Sequence, residues 1–180
     1  MSAWITVIGI GEDGMDGLSP SCVSLVQKAE VLIAGKRHHR KVQNSEAEIL
    51  DWDQGFDHVF KEIEARRGKN IIVLASGDPM NFGVGSNLVR TFGDDAVIVH
   101  PAPGAFSLAA ARMGWSIPDV DCFTIHGRPL TTLIKYIFPG ARLLVLSNNG
   151  SSAAQVASLL EEKGYGNSHI SVLEHLGGNN

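Results

Sequence analysis

Ile71-Ile72-Val73-Leu74-Ala75, running into Ser76-Gly77-Asp78-Pro79-Met80-Asn81-Phe82-Gly83, is the stretch on which the fold turns. The apolar run has the continuity of a strand buried on both faces, as parallel sheets require. It stops at a polar, glycine-rich turn ahead of a helix, where open α/β sheets place their ligand sites. The first strand ends in a similar way, Trp4-Ile5-Thr6-Val7-Ile8 leading into Gly9-Ile10-Gly11-Glu12-Asp13-Gly14. Two such edges predict a ligand cradled by backbone.

Outward from these edges, strand-like and helical runs alternate, the pattern of an α/β protein. Ser19 caps a helix with Pro20 at its first position, running to about Glu30. Val31 to Ala34 is a short strand. A helix from about Asp57 to Arg67 ends at Gly68, Gly85 to Phe92 is helical, Ala96 to His100 a strand, and Phe106 to Met113 a helix. Gly114-Trp115-Ser116-Ile117-Pro118-Asp119 breaks the rhythm and predicts a lobe boundary, with an N-terminal lobe over 1–115 and a C-terminal lobe over 119–180. Beyond it the spacing predicts a strand at Cys122 to His126, a helix from Leu130 to Phe138 and a strand at Arg142 to Ser147. A helix from Ser151 to Lys163 and a last strand at His169 to Glu174 complete the pattern. The chain stops at Gly177-Gly178-Asn179-Asn180, so a shortened second lobe with an exposed last edge is expected.

The 180 residues suffice for a substantial core, and the 44 % hydrophobic and 19 % charged content is ordinary for a globular protein. A formal net charge of −4 speaks against a nucleic-acid partner, which a basic face would announce. The local basic cluster Lys36, Arg37, His38, His39, Arg40, Lys41 reads as a solvated loop, with a phosphate or carboxylate contact as the alternative. Cys22 and Cys122 lie far apart in apolar patterns and read as small core residues. The histidines are scattered apart from His38-His39, and no protein-bound metal is expected. No apolar run approaches the about 20 residues that span a bilayer. The N-terminus enters a strand without a leader-like segment, so no membrane association and a cytoplasmic location are expected.

Gly9, Gly11 and Gly14 match the dinucleotide fingerprint letter for letter. That fold needs its helix to begin within the motif, so that the helix N-terminus faces the pyrophosphate. Here the helix signals sit at Ser19-Pro20, and Ala34-Gly35-Lys36 stands where a ribose-binding acid belongs. NAD is set aside. Glycines that merely shape a tight turn leave the crowding of Glu12, Asp13 and Asp16 in one loop without a reason.

Taken together the motifs resemble the tetrapyrrole methylase family of S-adenosylmethionine-dependent enzymes. The match runs in order along essentially the whole chain. It takes in Val7-Ile8-Gly9-Ile10-Gly11, Leu18-Ser19-Pro20, Ser76-Gly77-Asp78-Pro79 and Pro101-Ala102-Pro103-Gly104-Ala105-Phe106-Ser107. His126-Gly127-Arg128, Leu146-Ser147-Asn148 and Val172-Leu173-Glu174 follow. Gly11-Glu12-Asp13-Gly14, where other branches carry Gly-Pro-Gly-Asp, is similar to the C5-methyltransferase branch of corrin biosynthesis. Members are called precorrin-6Y C5,15-methyltransferases when fused to a second, decarboxylating domain. The resemblance implies two α/β lobes with the cofactor in the cleft between them, and a homodimer. It implies methylation of C5 of a late precorrin or cobalt-precorrin on the way to cobalamin, with S-adenosylhomocysteine as product. A separate enzyme would then perform the decarboxylating C15 methylation.

The resemblance places the cofactor against Gly11 and Glu12, against Ser76, Gly77, Asp78 and Asn81, and against Ala105, Phe106 and Ser107. Leu146 is implied in the adenine pocket, and Gly177 is a further candidate. The residue chemistry is compatible: Gly77 lets backbone approach closely, Pro79 fixes the turn, and Asp78 accepts hydrogen bonds from hydroxyl or ammonium groups, with turn capping as its alternative role. In-line methyl transfer from a sulfonium needs alignment and exclusion of water more than an acid or base, and no catalytic residue is singled out. The substrate's carboxylates suit Arg112, Arg128 (beside His126) and the Lys36 to Lys41 cluster as clamps. Two other readings stand: the same fold acting on RNA ribose or protein, and a non-catalytic module that holds cofactor or tetrapyrrole.

Overall fold

A computed structural model describes residues 3–42 and 46–178. The chain divides into two compact units, one formed by the residues up to Gly104 with Gly177 and Gly178, the other by Ala105–Leu176.

In the first unit β1 (Ile5–Ile10), β2 (Val31–Ile33), β3 (Glu48–Leu50), β4 (Ile71–Ser76) and β5 (Val97–His100) form one parallel sheet in the order β3-β2-β4-β1-β5. β4 is central, and its first four residues are at most 1 % exposed, which explains the unbroken apolar run. β1 and β4 lie in register with Ile10 opposite Ser76, so both end level at the carboxyl edge. Helix α1 (Pro20–Gln27) covers one face, Cys22 and Val26 packing with Ile8, Leu32 and Leu74. The other face is covered by α3 (Phe56–Ala65) and α4 (Val84–Phe92), through Val59, Ile63 and Leu88 on Val7, Ile33 and Val73. Burying such side chains contributes about 2 kcal/mol each.

Between β2 and β3 lies α2 (Lys36–His39), and the following Val42 packs on the α1 face. The connection leaving β2 therefore runs toward β3 over one face, while that leaving β4 runs toward β5 through α4 over the other. Neighbouring strands whose connections part in this way make a topological switch point, here at the carboxyl ends of β2 and β4.

The second unit contains β6 (Asp121–Thr124) and β7 (Leu143–Leu146), paired in parallel, with α5 (Ala105–Met113) and α6 (Ser152–Glu162). Phe106, Ala109 and Ala110 of α5 pack with Leu144, while Phe123, Ile125, Leu133 and Leu159 form a second cluster. The rings of Phe123 and Tyr136 stack at 4.7 Å.

Five elements differ from the sequence-based expectation, the first being β3, a strand that the sequence does not signal. Lys36–His39 is helix, not a solvated loop. Leu130–Tyr136 is a 3₁₀ helix, not an α-helix. His169–Glu174 forms no strand: Leu173 packs on the α5 cluster, but Ile170 and Val172 are exposed and no ladder takes up the segment. Gly114–Asp119 is a turn and a short 3₁₀ helix, yet the units part ten residues earlier, at Gly104 and Ala105, because α5 packs on β7. Among the described residues no helix is long and apolar enough to cross a membrane.

Candidate functional site

Three backbones meet at the carboxyl edge of the first sheet. Gly77 N–H donates to Ile10 O at 3.0 Å, and Ala102 N–H to Gly77 O at 3.3 Å, tying the ends of β1 and β4 to the segment after β5. The contact leaves no room for side chains. A Cβ on Gly9 would stand 2.1 Å from Gly77 O and 2.5 Å from Ala102 N, and one on Gly77 would stand 2.9 Å from Gly104 Cα. Gly77 also holds φ +60°, a conformation that side chains disfavour. The first glycine of the apparent dinucleotide fingerprint thus serves strand packing.

The acidic loop has a structural reason too. A Cβ on Gly11 would meet Asp13 Oδ1 at 2.5 Å, and one on Gly17 would meet Asp13 Oδ2 at 2.1 Å, so the Asp13 carboxylate lies in a hollow that these glycines leave open. Residues Gly14–Gly17 form a 3₁₀ turn, and α1 begins only at Pro20, with Ser19 Oγ accepting from Cys22 N–H at 3.3 Å. The helix start is where the sequence signals it, outside the glycine motif.

Glu12 faces the other way. Its Oε1 lies 2.8 Å from Arg37 Nη1 and its Oε2 2.7 Å from Lys41 Nζ, and Lys41 also donates to the Glu12 carbonyl at 2.8 Å. Arg37 Nη2 donates to Ser76 Oγ at 3.0 Å. One guanidinium therefore joins the β1 loop to the end of β4 from its seat on α2. Sequence reasoning read Arg37 and Lys41 as solvated charges, with a phosphate or carboxylate contact as the alternative, and the Glu12 carboxylate is such a contact. The signal it passed over was position: the basic run directly follows β2, at the same carboxyl edge as Glu12 and Ser76. Glu12→Ala is expected to cost about 1 kcal/mol in urea unfolding, and the cost should shrink in molar salt, since both pairs are partly exposed.

His38, 6 % exposed, lies beside this network. Burial first, then the charges of Arg37 and Lys41, push its pKa down from 6.5 to about 4; neighbouring His39 acts in the same sense and Glu12 opposes them. The unfolded chain therefore binds a proton near pH 6.5 that the folded chain refuses until about pH 4. Stability should be level above pH 6.5 and fall as the pH drops toward 4, as thermal melts across that range would show. His38→Gln should flatten that slope.

Asp78 serves its turn with one oxygen, Oδ1 accepting from Met80 N–H at 2.9 Å. Oδ2 has no partner among the described residues. The turn is tight: a Cβ on Gly83 would lie 2.6 Å from Pro79 O, and Phe82 takes φ +56°. Ser76 and Asn81 are exposed, and Gly11, Glu12, Gly77 and Asp78 half-buried, so these six candidates gather along one sheet edge. The remaining candidates belong to the second unit. Ala105 and Ser107 are exposed at the start of α5, whereas Phe106 is 6 % exposed and its ring is core. Leu146 is half-buried and packs against the α5 cluster. Arg112, His126 and Arg128 are exposed, His126 N–H donating to Thr124 Oγ1 at 3.0 Å. Gly177 holds φ +86°.

Among the described residues no group of three or more His, Cys, Asp or Glu side chains could hold a metal ion. A shallow hollow of about 190 Å³ beside β3 and α3, lined by Ile49, Leu50, Asp51, Gln54, His58, Val59 and Glu62, is too small for an adenosine-sized ligand.

Residues 5–180 match the family model described as Tetrapyrrole (Corrin/Porphyrin) Methylases. The decarboxylating precorrin-6Y C(5,15)-methyltransferase of a Sinorhizobium species is 42 % identical over 179 residues, 99 % of this chain and 43 % of that protein. The cobalt-precorrin-7 C(5)-methyltransferase of Salmonella typhimurium is 33 % identical over 124 residues, 69 % of this chain and 62 % of that protein. The crystal structure of a precorrin-6Y methylase from Archaeoglobus fulgidus is similar at a TM-score of 0.59 and 26 % identity, covering 78 % of this chain and 71 % of that one. A uroporphyrin-III-C-methyltransferase from Thermus thermophilus, 20 % identical with a TM-score of 0.63, shares the fold over 88 % of this chain and 74 % of its own. The chain spans less than two thirds of the length of the curated relatives named here.

Proposed function

The chain belongs to the tetrapyrrole (corrin/porphyrin) methylase family, and we propose that within it the protein methylates C5 of a late precorrin or cobalt-precorrin in cobalamin biosynthesis, with S-adenosylmethionine as methyl donor. The observation that carries this reading is the carboxyl edge of β1 and β4. There Gly9, Gly77 and Gly104 bring backbones together without side chains, Ser76 and Asn81 are exposed, and Asp78 Oδ2 has no partner among the described residues. The names of the Sinorhizobium and Salmonella relatives support the acceptor and the carbon.

The residues fit the cofactor. Oxygen acceptors suit its ammonium and ribose hydroxyls, and the bare glycine backbones admit a close approach. S-adenosylmethionine brings an electrophilic methyl group and its own leaving group, ending as S-adenosylhomocysteine. The chain's part is to bind and to align. Asp78 accepts a donor through Oδ2 while Oδ1 keeps the turn, Asn81 offers an amide at the same loop, and Gly11 and Glu12 hold the first loop. Ala105, Ser107 and the backbone of Phe106 are further cofactor contacts in this reading, with Leu146 at the adenine. Arg112, Arg128 and His126 take substrate carboxylates. A homodimer, a cytoplasmic location and a separate decarboxylating C15-methyltransferase as pathway partner belong to the same proposal.

Incubation with a late precorrin, with or without cobalt, and methyl-labelled S-adenosylmethionine tests it. Gain of a single labelled methyl, located at C5 by carbon NMR, is expected. Label arriving instead in RNA or protein would replace the acceptor. A protein that binds S-adenosylhomocysteine tightly yet turns over no precorrin would be a binding module.

A further inference from the structure

His38 has no part in the function as proposed, yet it is the buried imidazole at the switch point between β2 and β4. Its Nε2 lies 3.4 Å from Arg37 Nη2 and 3.3 Å from Ser76 Oγ. A guanidinium has only protons to offer, so the ring nitrogen facing it carries the lone pair, and the ring proton sits on Nδ1. The serine follows from this. Ser76 Oγ accepts from Arg37 Nη2 at 3.0 Å, and its own proton turns to His38 Nε2. A hydroxyl has one proton and two acceptor sites. With the proton and one acceptor site engaged, Ser76 presents a single lone pair at an exposed strand end.

We propose that His38 is a positioning residue that, together with Arg37, fixes Ser76 as an acceptor-only hydroxyl, so that the ligand atom meeting it must be a hydrogen-bond donor. The inference rests on the methyl-donor reading, in which the ammonium and ribose hydroxyls of S-adenosylmethionine are such donors. A phosphate oxygen at that place would meet a lone pair. The device thus selects against phosphorylated ligands as well as for the cofactor. Removing the acceptor at position 38 frees the hydroxyl to rotate, and the ligand must then bear the cost of fixing it.

Two measurements on the whole chain test this. Nitrogen NMR of the labelled protein should show His38 as the Nδ1-protonated tautomer, titrating near 4. The opposite tautomer, or an ordinary titration near 6.5, overturns the proposal. Calorimetric titration with S-adenosylhomocysteine should then show that His38→Phe and Ser76→Ala each weaken binding about tenfold. The double variant should lose no more than either single one, since His38 acts through Ser76. His38→Gln, which keeps an acceptor, should restore most of the affinity, and it serves in place of the phenylalanine variant if that fails to fold. Additive losses, or full affinity in a folded His38→Phe protein, overturn the proposal. Failure of the unaltered chain to bind S-adenosylhomocysteine, with the expected tautomer observed, removes the cofactor reading and the ligand half of this inference with it. Failure in the variants alone leaves the cofactor reading standing.

Discussion

Gly9→Ala is expected to lower the free energy of unfolding by about 3 kcal/mol. Its Cβ would fall 2.1 Å from the carbonyl oxygen of Gly77 and 2.5 Å from the amide of Ala102. Both are backbone atoms. Neither can swing aside as a side chain could, and both belong to the hydrogen bond that closes the segment after β5 onto β4. Relief requires β1 to move away from β4, against a ladder running in register from Ile5–Ile71 to Ile10–Ser76. Gly35→Ala is the contrasting control: a Cβ there meets nothing within 4 Å, and Gly35 has an ordinary φ of −70°. Urea unfolding of the two variants measures the difference. Equal midpoints would mean that the three strand ends are not packed as described.

Asp78→Ala is expected to weaken S-adenosylhomocysteine binding at least tenfold, roughly 1.5 kcal/mol. Part of any effect of that variant comes from the turn, because Oδ1 holds Met80 N–H at 2.9 Å. Asp78→Asn separates the two roles. Asparagine keeps an oxygen for the turn and removes the charge, so its melting temperature should match that of the unaltered protein while its affinity drops. Calorimetry beside a thermal melt reads both quantities. Unchanged affinity in folded Asp78→Ala protein would remove Asp78 from the site.

Most of the first sheet was legible because its strands are buried on both faces and need little beyond apolar continuity. β3 was not. Glu48–Leu50 is a short outer strand with two exposed residues, and without an apolar run only its pairing with β2 makes it a strand. The helix Lys36–His39 carries no apolar periodicity, and what seats it is the burial of His38 and the pairing of its neighbours with Glu12 and Ser76, which become visible only once β1, β2 and β4 are brought together. In the second unit Ile170 and Val172 have strand chemistry but are exposed, and no ladder among the described residues takes them up. Leu130–Tyr136 follows Pro129 and contains Thr131 and Thr132. The hydroxyl of Thr132 bonds back to the Pro129 carbonyl, which favours a tight turn over an α-helix.

The candidate site followed the same division. Ser76, Gly77 and Asp78 stand out because polar residues and glycine at the end of a buried strand serve no core. The reason for the glycines in the first loop could not be read from spacing, since Asp13 fills the hollow over Gly11 and Gly17 only in three dimensions. Phe106 was legible as a motif residue, but its ring is committed to the α5 cluster.

Calorimetric titration of the 180-residue chain with S-adenosylhomocysteine, with NAD as the control ligand, tests the central claim most directly. Saturable binding of S-adenosylhomocysteine alone is the predicted result. Binding of NAD alone, or of neither ligand, would contradict the assignment of the β1 and β4 edge to a methyl donor.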